Sequence, residues 1–298
     1  MNIFITGGTG FVGIELRTML LKEGHNLVII TRNPKKYEDE NAKNQRFISW
    51  DDDLASEMEN MDAVINLAGE NIFGQRWTDH VKKRIMDSRI RSTEQLVEAM
   101  GAAQNKPDVF ISASASGYYG HRGDDIITEE EPPADDFLAG VCKEWEKASH
   151  KAKELGVRVV NPRIGIVLEK GGGALEKMIP AFRFFIGGPI GTGEQYMSWV
   201  HRQDLCEALI FPLKNKELAG PYNVCAPTPV TMKEFAKVLG DVMSRPSMFR
   251  VPKFVLDIVL GEASKPVTDS IRMQPNKLQV AGFEFRFEEL EEALADIL

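Results

Sequence analysis

The chain has 298 residues, 43% of them hydrophobic and 27% charged, the proportions of an ordinary globular protein. Its 36 Lys and Arg stand against 44 Asp and Glu, a net charge of −8, which argues against a sequence-independent nucleic-acid binder because that function rests on a basic surface. No stretch reaches the roughly 18 uninterrupted apolar residues of a membrane span. The opening residues lack the basic segment and long apolar run of a secretory leader. The three cysteines, Cys142, Cys206 and Cys225, form no metal-binding spacing and fit a reducing compartment. We therefore expect a cytoplasmic protein without a metal, a nucleic-acid partner or a membrane partner.

In chain order, residues 3–6 form a short apolar strand and residues 7–13 a glycine-rich turn. Residues 12–23 follow with helical periodicity, with Leu16, Met19 and Leu20 on one face and Gly24 as the stop. Leu27-Val28-Ile29-Ile30 is an unbroken apolar run, the pattern of a strand buried on both faces. The alternation continues with strands at 46–50 and 62–67, a helix over 79–103, a strand at 109–114, a helix over 137–155 ending at Gly156, and a strand at 157–161. Strands alternating with helices predict an α/β Rossmann fold with a doubly wound parallel sheet. Beyond residue 165 glycines cluster and elements shorten: a strand near 197–200, a helix over 204–213, a strand at 222–224, and an acidic amphipathic helix at 288–298. A further helix is capped by Thr231 with Glu234 three residues on, a capping box. We divide the chain into a dinucleotide-binding domain, 1–165, and a smaller C-terminal α/β substrate lobe, 166–298, with later segments woven into the first.

Thr6-Gly7-Gly8-Thr9-Gly10-Phe11-Val12-Gly13 carries the spacing G-x-x-G-x-x-G between a strand and a helix. In that context Gly7 permits the tight turn, Gly10 lets the backbone approach a pyrophosphate, and Gly13 lets the helix pack on the sheet. The helix start offers free N–H groups to phosphate oxygens, with Thr9, Phe11 and Val12 beside them. The second strand ends in Thr31-Arg32, with Lys35 and Lys36 beyond and no carboxylate before Glu38. A carboxylate there would hold the ribose hydroxyl of NAD, whereas a guanidinium suits a 2′-phosphate. The expected cofactor is NADP.

These residues resemble the extended short-chain dehydrogenase/reductase superfamily over nearly the whole chain. Trp50 and Asp51 lie where the superfamily's third strand meets adenine. Asn66-Leu67-Ala68-Gly69 looks like its fourth-strand motif. Residues 112–120, ending Tyr119-Gly120, look like its fifth strand and the following loop. The stretches at 200–204 and 220–224 are similar to the C-terminal lobe of sugar-nucleotide epimerases. Four further stretches resemble an atypical branch described only as an epimerase family. They are 66–72, 137–139 with Cys142 and Trp145-Glu146, 187–191, and 282–285. The fourth-strand motif lines the adenine and ribose side, so the superfamily resemblance implies cofactor contacts at Leu67, Ala68 and Gly69, and the resemblance to the atypical branch adds Glu70. The superfamily's chemistry uses a Ser or Thr with Tyr-x-x-x-Lys, yet four residues before Lys143 stands Ala139, and four after Tyr119 stands Gly123.

The loop Ser114-Ala115-Ser116-Gly117-Tyr118-Tyr119-Gly120-His121-Arg122 follows a strand end that faces the ligand crevice. A phenol of pKa near 10 is about one part in a thousand ionised at pH 7, a poor base but an available acid. The candidate proton donor is Tyr119, or Tyr118, with Ser114 or Ser116 orienting a carbonyl. The expected activity is thus an NADP-dependent oxidoreductase acting on a small molecule the sequence does not name. The alternative is a cofactor-binding redox sensor with little catalysis. Epimerisation, which needs an efficient base, fits less well. Arg163 is placed beside the nicotinamide or the substrate. Asp204 is read as a helix N-cap, His201 as a core or rim residue, and Arg89 and Arg91 as a solvated helix face. Trp145 and Glu146 are read as helix packing, and Met178, Phe182, Phe184 and Phe185 as core or a lid. The oligomeric state is open, a homo-oligomer included.

Overall fold

The computed structural model describes residues 1–72, 75–251 and 261–298. Strands β1 (Asn2–Thr6), β2 (Asn26–Ile30), β3 (Gln45–Ile48), β4 (Ala63–Asn66), β5 (Val109–Ser112), β6 (Ser114–Ala115), β7 (Ile126–Ile127), β8 (Arg158–Ile164), β9 (Ile166–Leu168), β10 (Tyr196–Met197), β11 (Trp199–His201), β12 (Gly220–Val224), β13 (Val230–Thr231) and β14 (Arg272–Met273) follow in chain order. The helices used below are α1 (Gly13–Lys22), α2 (Leu54–Met58), α3 (Asp79–Ala102), α4 (Phe137–His150), α5 (Gly173–Arg183), α6 (Arg202–Lys214), α7 (Met232–Met243), α8 (Lys265–Thr268), α9 (Asn276–Val280) and α10 (Leu290–Ile297). Among the described residues no helix is long and apolar enough to cross a membrane.

The main sheet runs β12-β8-β5-β4-β1-β2-β3, every pair parallel, with β6 added on β8. The chain moves outward from β1 in one direction through β2 and β3, then returns to β4 on its other side. The carboxyl end of β1 is therefore the switch point at which such sheets bind ligands. Strand β1 shows how the residues enforce a two-faced core. Ile3 and Ile5 pack with Leu16 and Leu20 of α1 and Leu205 and Leu209 of α6. Phe4, pointing the other way, packs with Leu96 and Met100 of α3.

The helix predicted over 137–155 divides at His150 into α4 and a 3₁₀ turn, Lys151–Leu155, closed by Gly156 at φ 82°. Strand β8 runs past Pro162, where the sequence suggested a stop. Pairing of β8 with β5 ends at Val160, and pairing with β6 begins at Arg163. Pro162 thus lies opposite a break in the ladder, where a missing N–H costs least.

Segments after residue 165 return to the layers of the main sheet. Helix α6 packs on α1, and β12 pairs with β8 as an edge of the main sheet. The second body has its own core, built from Trp199, Phe182, Phe235, Leu239, Leu290 and Leu294. Its α7 carries the Thr231/Glu234 capping box. Asp204 is not the N-cap of α6. His201 takes that place, its Nδ1 accepting from the Gln203 N–H at 3.1 Å. One turn in, the buried Asp204 carboxylate accepts from the Arg286 and Phe287 N–H groups at 2.9 and 3.0 Å. It ties the C-terminal segment to the sheet layer.

Candidate functional site

The turn after β1 is built as its glycines require. Gly7 has φ 70°, and its carbonyl accepts from the Gly10 N–H at 2.9 Å. A Cβ on Gly7 would lie 2.7 Å from the Leu67 carbonyl oxygen, and one on Gly13 would lie 2.1 Å from the Gly7 oxygen. Gly10 is exposed, with only the Gly7 oxygen near its missing Cβ. No side chain caps α1, which leaves its leading N–H groups to an anion. The turn borders a cleft of about 1390 Å³ lined by Gly7, Thr9, Gly10, Phe11, Val12 and Gly13.

The second wall is fixed by a buried polar chain. Thr6 Oγ1 donates to Asn66 Oδ1 at 2.6 Å, and Asn66 Nδ2 donates to Thr93 Oγ1 at 2.9 Å. Trp145 Nε1 also donates to Thr93 Oγ1, at 3.1 Å. The ends of β1 and β4 are thereby bound to α3 and α4, and the strand end delivers Leu67, Ala68, Gly69 and Glu70 to the cleft. Thr31, Arg32 and Trp50 line it too, with Arg32 exposed at the end of β2. Asp51 does not. It is exposed outside the lining, and its carboxylate accepts from Ser49 Oγ at 3.5 Å.

Helix α3 supplies more than a solvated face. Arg89 lines the cleft, donates to the Ile85 and Glu70 carbonyls at 3.0 and 3.1 Å, and lies over the Trp145 ring. Burial presses its pKa down. Arg84 pairs with Glu70 at 2.9 Å, and Arg91, at the rim, with Asp87 at 3.3 Å. Sequence reasoning missed Arg84 and misjudged Arg89. The i, i+4, i+7 spacing of Arg84, Ser88 and Arg91 was the available signal.

The floor places the residues read as catalytic in different surroundings. Tyr119 is fully buried and absent from the lining. Its hydroxyl donates to Asn223 Oδ1 at 2.6 Å and accepts from Arg163 Nη1 at 3.0 Å. Burial pushes its pKa well above the ordinary phenol value, against the pull of Arg163. Arg163 is likewise buried and outside the lining. Its Nε and Nη2 donate to the two oxygens of Glu146, both at 2.9 Å. Burial is the largest influence and opposes its charge, but the hydrogen bonds and charge of Glu146, together with Tyr119, outweigh it in sum and raise its pKa. Tyr118 lies outside the lining with the Arg163 guanidinium 3.5 Å from its ring centre. Ser114 reaches the lining but is buried, and its hydroxyl donates to Glu146 Oε1 at 2.7 Å. Glu146, read from sequence as packing, is the hub of this network.

Helix α4 turns Leu138, Val141, Cys142 and Trp145 toward the cleft, while Lys143 is exposed outside the lining. Two pairs four apart therefore face the cleft, Leu138 with Cys142 and Val141 with Trp145, and neither is a Tyr with a Lys. The Cys142 thiol is pushed up to about 11 by burial and the Glu146 charge, against Arg89. It is held neutral, as an inert apolar wall.

Of the hydroxyls proposed for chemistry, Ser116 remains as a half-buried lining residue. Beyond it the lining includes Asn71, Asp136, Lys265 and Asp269. Lys265 Nζ lies 3.6 Å from Asp136 Oδ2. Nothing local in the sequence signals that residues 265–271 close this end, because the contact spans some 150 residues. His201 stays in the core, its ring 4.0 Å from that of Phe287 and its pKa lowered by burial. Phe182 is core, whereas Phe184 and Phe185 are exposed and none of the three lines the cleft. Among the described residues no group of three or more His, Cys, Asp or Glu is arranged to hold a metal ion.

Comparison with known proteins places this geometry. The model of the NAD dependent epimerase/dehydratase family matches residues 3–225, and that of a domain of unknown function (DUF1731) matches residues 251–297. The epimerase family protein YfhF of Bacillus subtilis is 39% identical over 303 residues, covering 100% of this chain and 98% of that protein. The chloroplastic SDR39U1 homolog of Arabidopsis thaliana is also 39% identical, covering 100% and 87%. The crystal structure of human epimerase family protein SDR39U1 (isoform 2) with NADPH superposes with a TM-score of 0.90 at 31% identity, covering 100% of this chain and 99% of that one. UDP-glucuronic acid 4-epimerase from Bacillus cereus shares the fold, with a TM-score of 0.80 at 20% identity over 100% and 98% of the two chains.

Proposed function

The chain belongs to the NAD dependent epimerase/dehydratase family, and we propose that it binds NADP(H) in this cleft and acts as an oxidoreductase on a small carbonyl compound. The observation that carries the cofactor reading is the uncapped glycine turn at the switch point with Arg32 on the adjoining strand end. The NADPH complex of human SDR39U1 supports it. The turn and the start of α1 would hold the pyrophosphate, Arg32 the 2′-phosphate, and Trp50 and Leu67 the adenine side.

NADPH, when bound, supplies a two-electron reductant. The cleft, about 1390 Å³, exceeds the roughly 300–1,000 Å³ that suits one drug-sized ligand, so it has room for a second molecule. Ser116, beside Lys265 and Asp269, is the hydroxyl positioned to orient a carbonyl there. With Tyr119 committed to Asn223 and Arg163, the protonation must draw on Ser116, Lys265 or water.

Leu138 and Cys142 on the cleft-facing turns of α4 favour a second reading, an NADP(H)-responsive binding protein with little turnover. One experiment separates the two. NADPH consumption is followed across a panel of aldehydes and ketones, with wild type and Ser116→Ala. Turnover that falls at least tenfold in the variant supports the oxidoreductase. One NADPH bound per chain with no turnover on any carbonyl overturns it and leaves the binding protein.

A further inference from the structure

The C-terminal end of α5 carries a surface unlike the rest of the molecule. Phe184, Phe185 and Ile186 are 76%, 53% and 57% exposed, and Met248 and Phe249 are 81% and 52% exposed. Among the described residues the other exposed large apolar ones, Met1, Ile14, Ile126, Val280 and Leu298, are scattered along the sequence.

The five sit on two neighbouring segments. The Phe249 N–H donates to the Gly187 carbonyl at 3.1 Å, and a Cβ on Gly188 would lie 2.4 Å from the Phe249 oxygen. The two segments thus run side by side at backbone contact. Arg245 lies over the Phe185 ring, 4.6 Å from its centre. Phe185 has φ 63°, in the left-handed region that residues with a Cβ avoid. It closes α5 as a helix C-terminal turn, in which the Phe185 N–H donates to the Phe182 carbonyl and the Ile186 N–H to the Ala181 carbonyl, both at 2.9 Å.

The charged side chains within these two segments are all basic, with the exposed Glu194 flanking them two residues beyond the Thr192 carbonyl that Arg250 meets. Residues 181–190 and 244–251 contain Arg183, Arg245 and Arg250 and no carboxylate, in a chain whose net charge is −8. Arg183 and Arg250 are exposed, Arg250 with one N–H on the Thr192 carbonyl, and Arg245 is half-buried. The nearest acidic side chain along the chain is Asp241, one helical turn before Arg245.

Aromatic and aliphatic side chains projecting between arginines match the interface of an anionic bilayer. The apolar groups enter the acyl boundary, and the guanidinium groups meet lipid phosphates. A second copy docked through the same face would set these arginines against their own duplicates. We infer that the Phe184–Phe185–Ile186 and Met248–Phe249 face docks this protein peripherally on an anionic lipid surface. This differs from the membrane span that the sequence excludes, and it stands apart from the proposed function. The amino-terminal half of α5 lines the cleft, so docking sets the cleft about 15 Å from the lipid, the length of that helix.

The test is co-sedimentation with vesicles of phosphatidylcholine alone and of phosphatidylcholine mixed with phosphatidylglycerol. The protein is expected to sediment with the mixed vesicles only and to be released by molar salt. Phe184→Ser with Phe249→Ser, and separately Arg183→Glu with Arg250→Glu, should each lower the bound fraction about tenfold or more. An unchanged melting temperature shows that the variants fold. Should the arginine pair fold poorly, Arg183→Glu alone carries the charge arm. Sedimentation with neither vesicle, equal sedimentation with both, or binding that survives the variants overturns the inference. So does a concentration-dependent dimer abolished by the phenylalanine pair, which would make a second copy the occupant of this face.

Discussion

Tyr119 has both capacities of its hydroxyl engaged, donating to Asn223 and accepting from Arg163, in a fully buried site. Removing that hydroxyl leaves two buried partners each short of one hydrogen bond. Tyr119→Phe should therefore cost about 1–3 kcal/mol of stability, read as a lowered melting temperature, with cofactor affinity unchanged. A donor in the chemical step would instead lose on the order of a hundredfold in turnover with little change in melting. Arg32 presents the opposite case, an exposed guanidinium on the cleft wall. Arg32→Ala should weaken NADPH binding about tenfold to a hundredfold through the lost charge-assisted contacts and leave NADH binding nearly unchanged. Equal losses for both would show that Arg32 does not read the 2′-phosphate.

At the level of elements, legibility follows locality. The glycine turn, the β1-α1-β2 unit and the Thr231 capping box depend on neighbours within a few residues, and each is readable from spacing. The inward turn of Tyr119 and Arg163 depends on Glu146, Asn223 and the Glu129 carbonyl, which accepts from Arg163 Nη1, and these come from three different parts of the chain. A run of hydroxyls after a strand looks the same whether it faces a cleft or a core. Strand β12 and helix α6 returned to the main sheet for a similar reason. The glycine clusters after residue 165 suggested a new lobe, but β8 still had an unpaired edge.

Asp204 shows how such a return is fastened. Burial pushes its carboxyl up to about 6, although the Arg286 and Phe287 N–H groups pull the other way. Against the ordinary carboxylate value of 3.8 in the unfolded chain, the folded state retains the proton over a window in which the unfolded chain has released it. This residue's contribution is therefore most favourable below pH about 4 and declines as pH rises through about 6. Wild type should lose stability relative to Asp204→Asn as pH is raised from 4 to 7 in parallel thermal melts. A flat difference across that range would show that the carboxyl is not shifted.

For the whole molecule, the main sheet and the smaller body act as two jaws. The sheet supplies the glycine turn, Arg32 and the strand end at Leu67. The smaller body, with α5 and the segment at 265–271, supplies Lys265 and Asp269. That division explains why the cofactor side is readable in the sequence and the substrate side is not. The first uses a motif whose geometry is dictated by phosphate. The second is assembled from distant residues with no fixed chemical partner. The buried Ser114–Glu146–Arg163–Tyr119 network lies between them and holds the floor on which both jaws rest. The account rests on one claim, that the cleft is an NADP(H) site with selectivity for the 2′-phosphate. Calorimetric titration of the wild-type protein with NADPH and with NADH tests it most directly. One NADPH per chain, bound at least tenfold more tightly than NADH, is the predicted result. No binding of either, or NADH bound as tightly as NADPH, would contradict it.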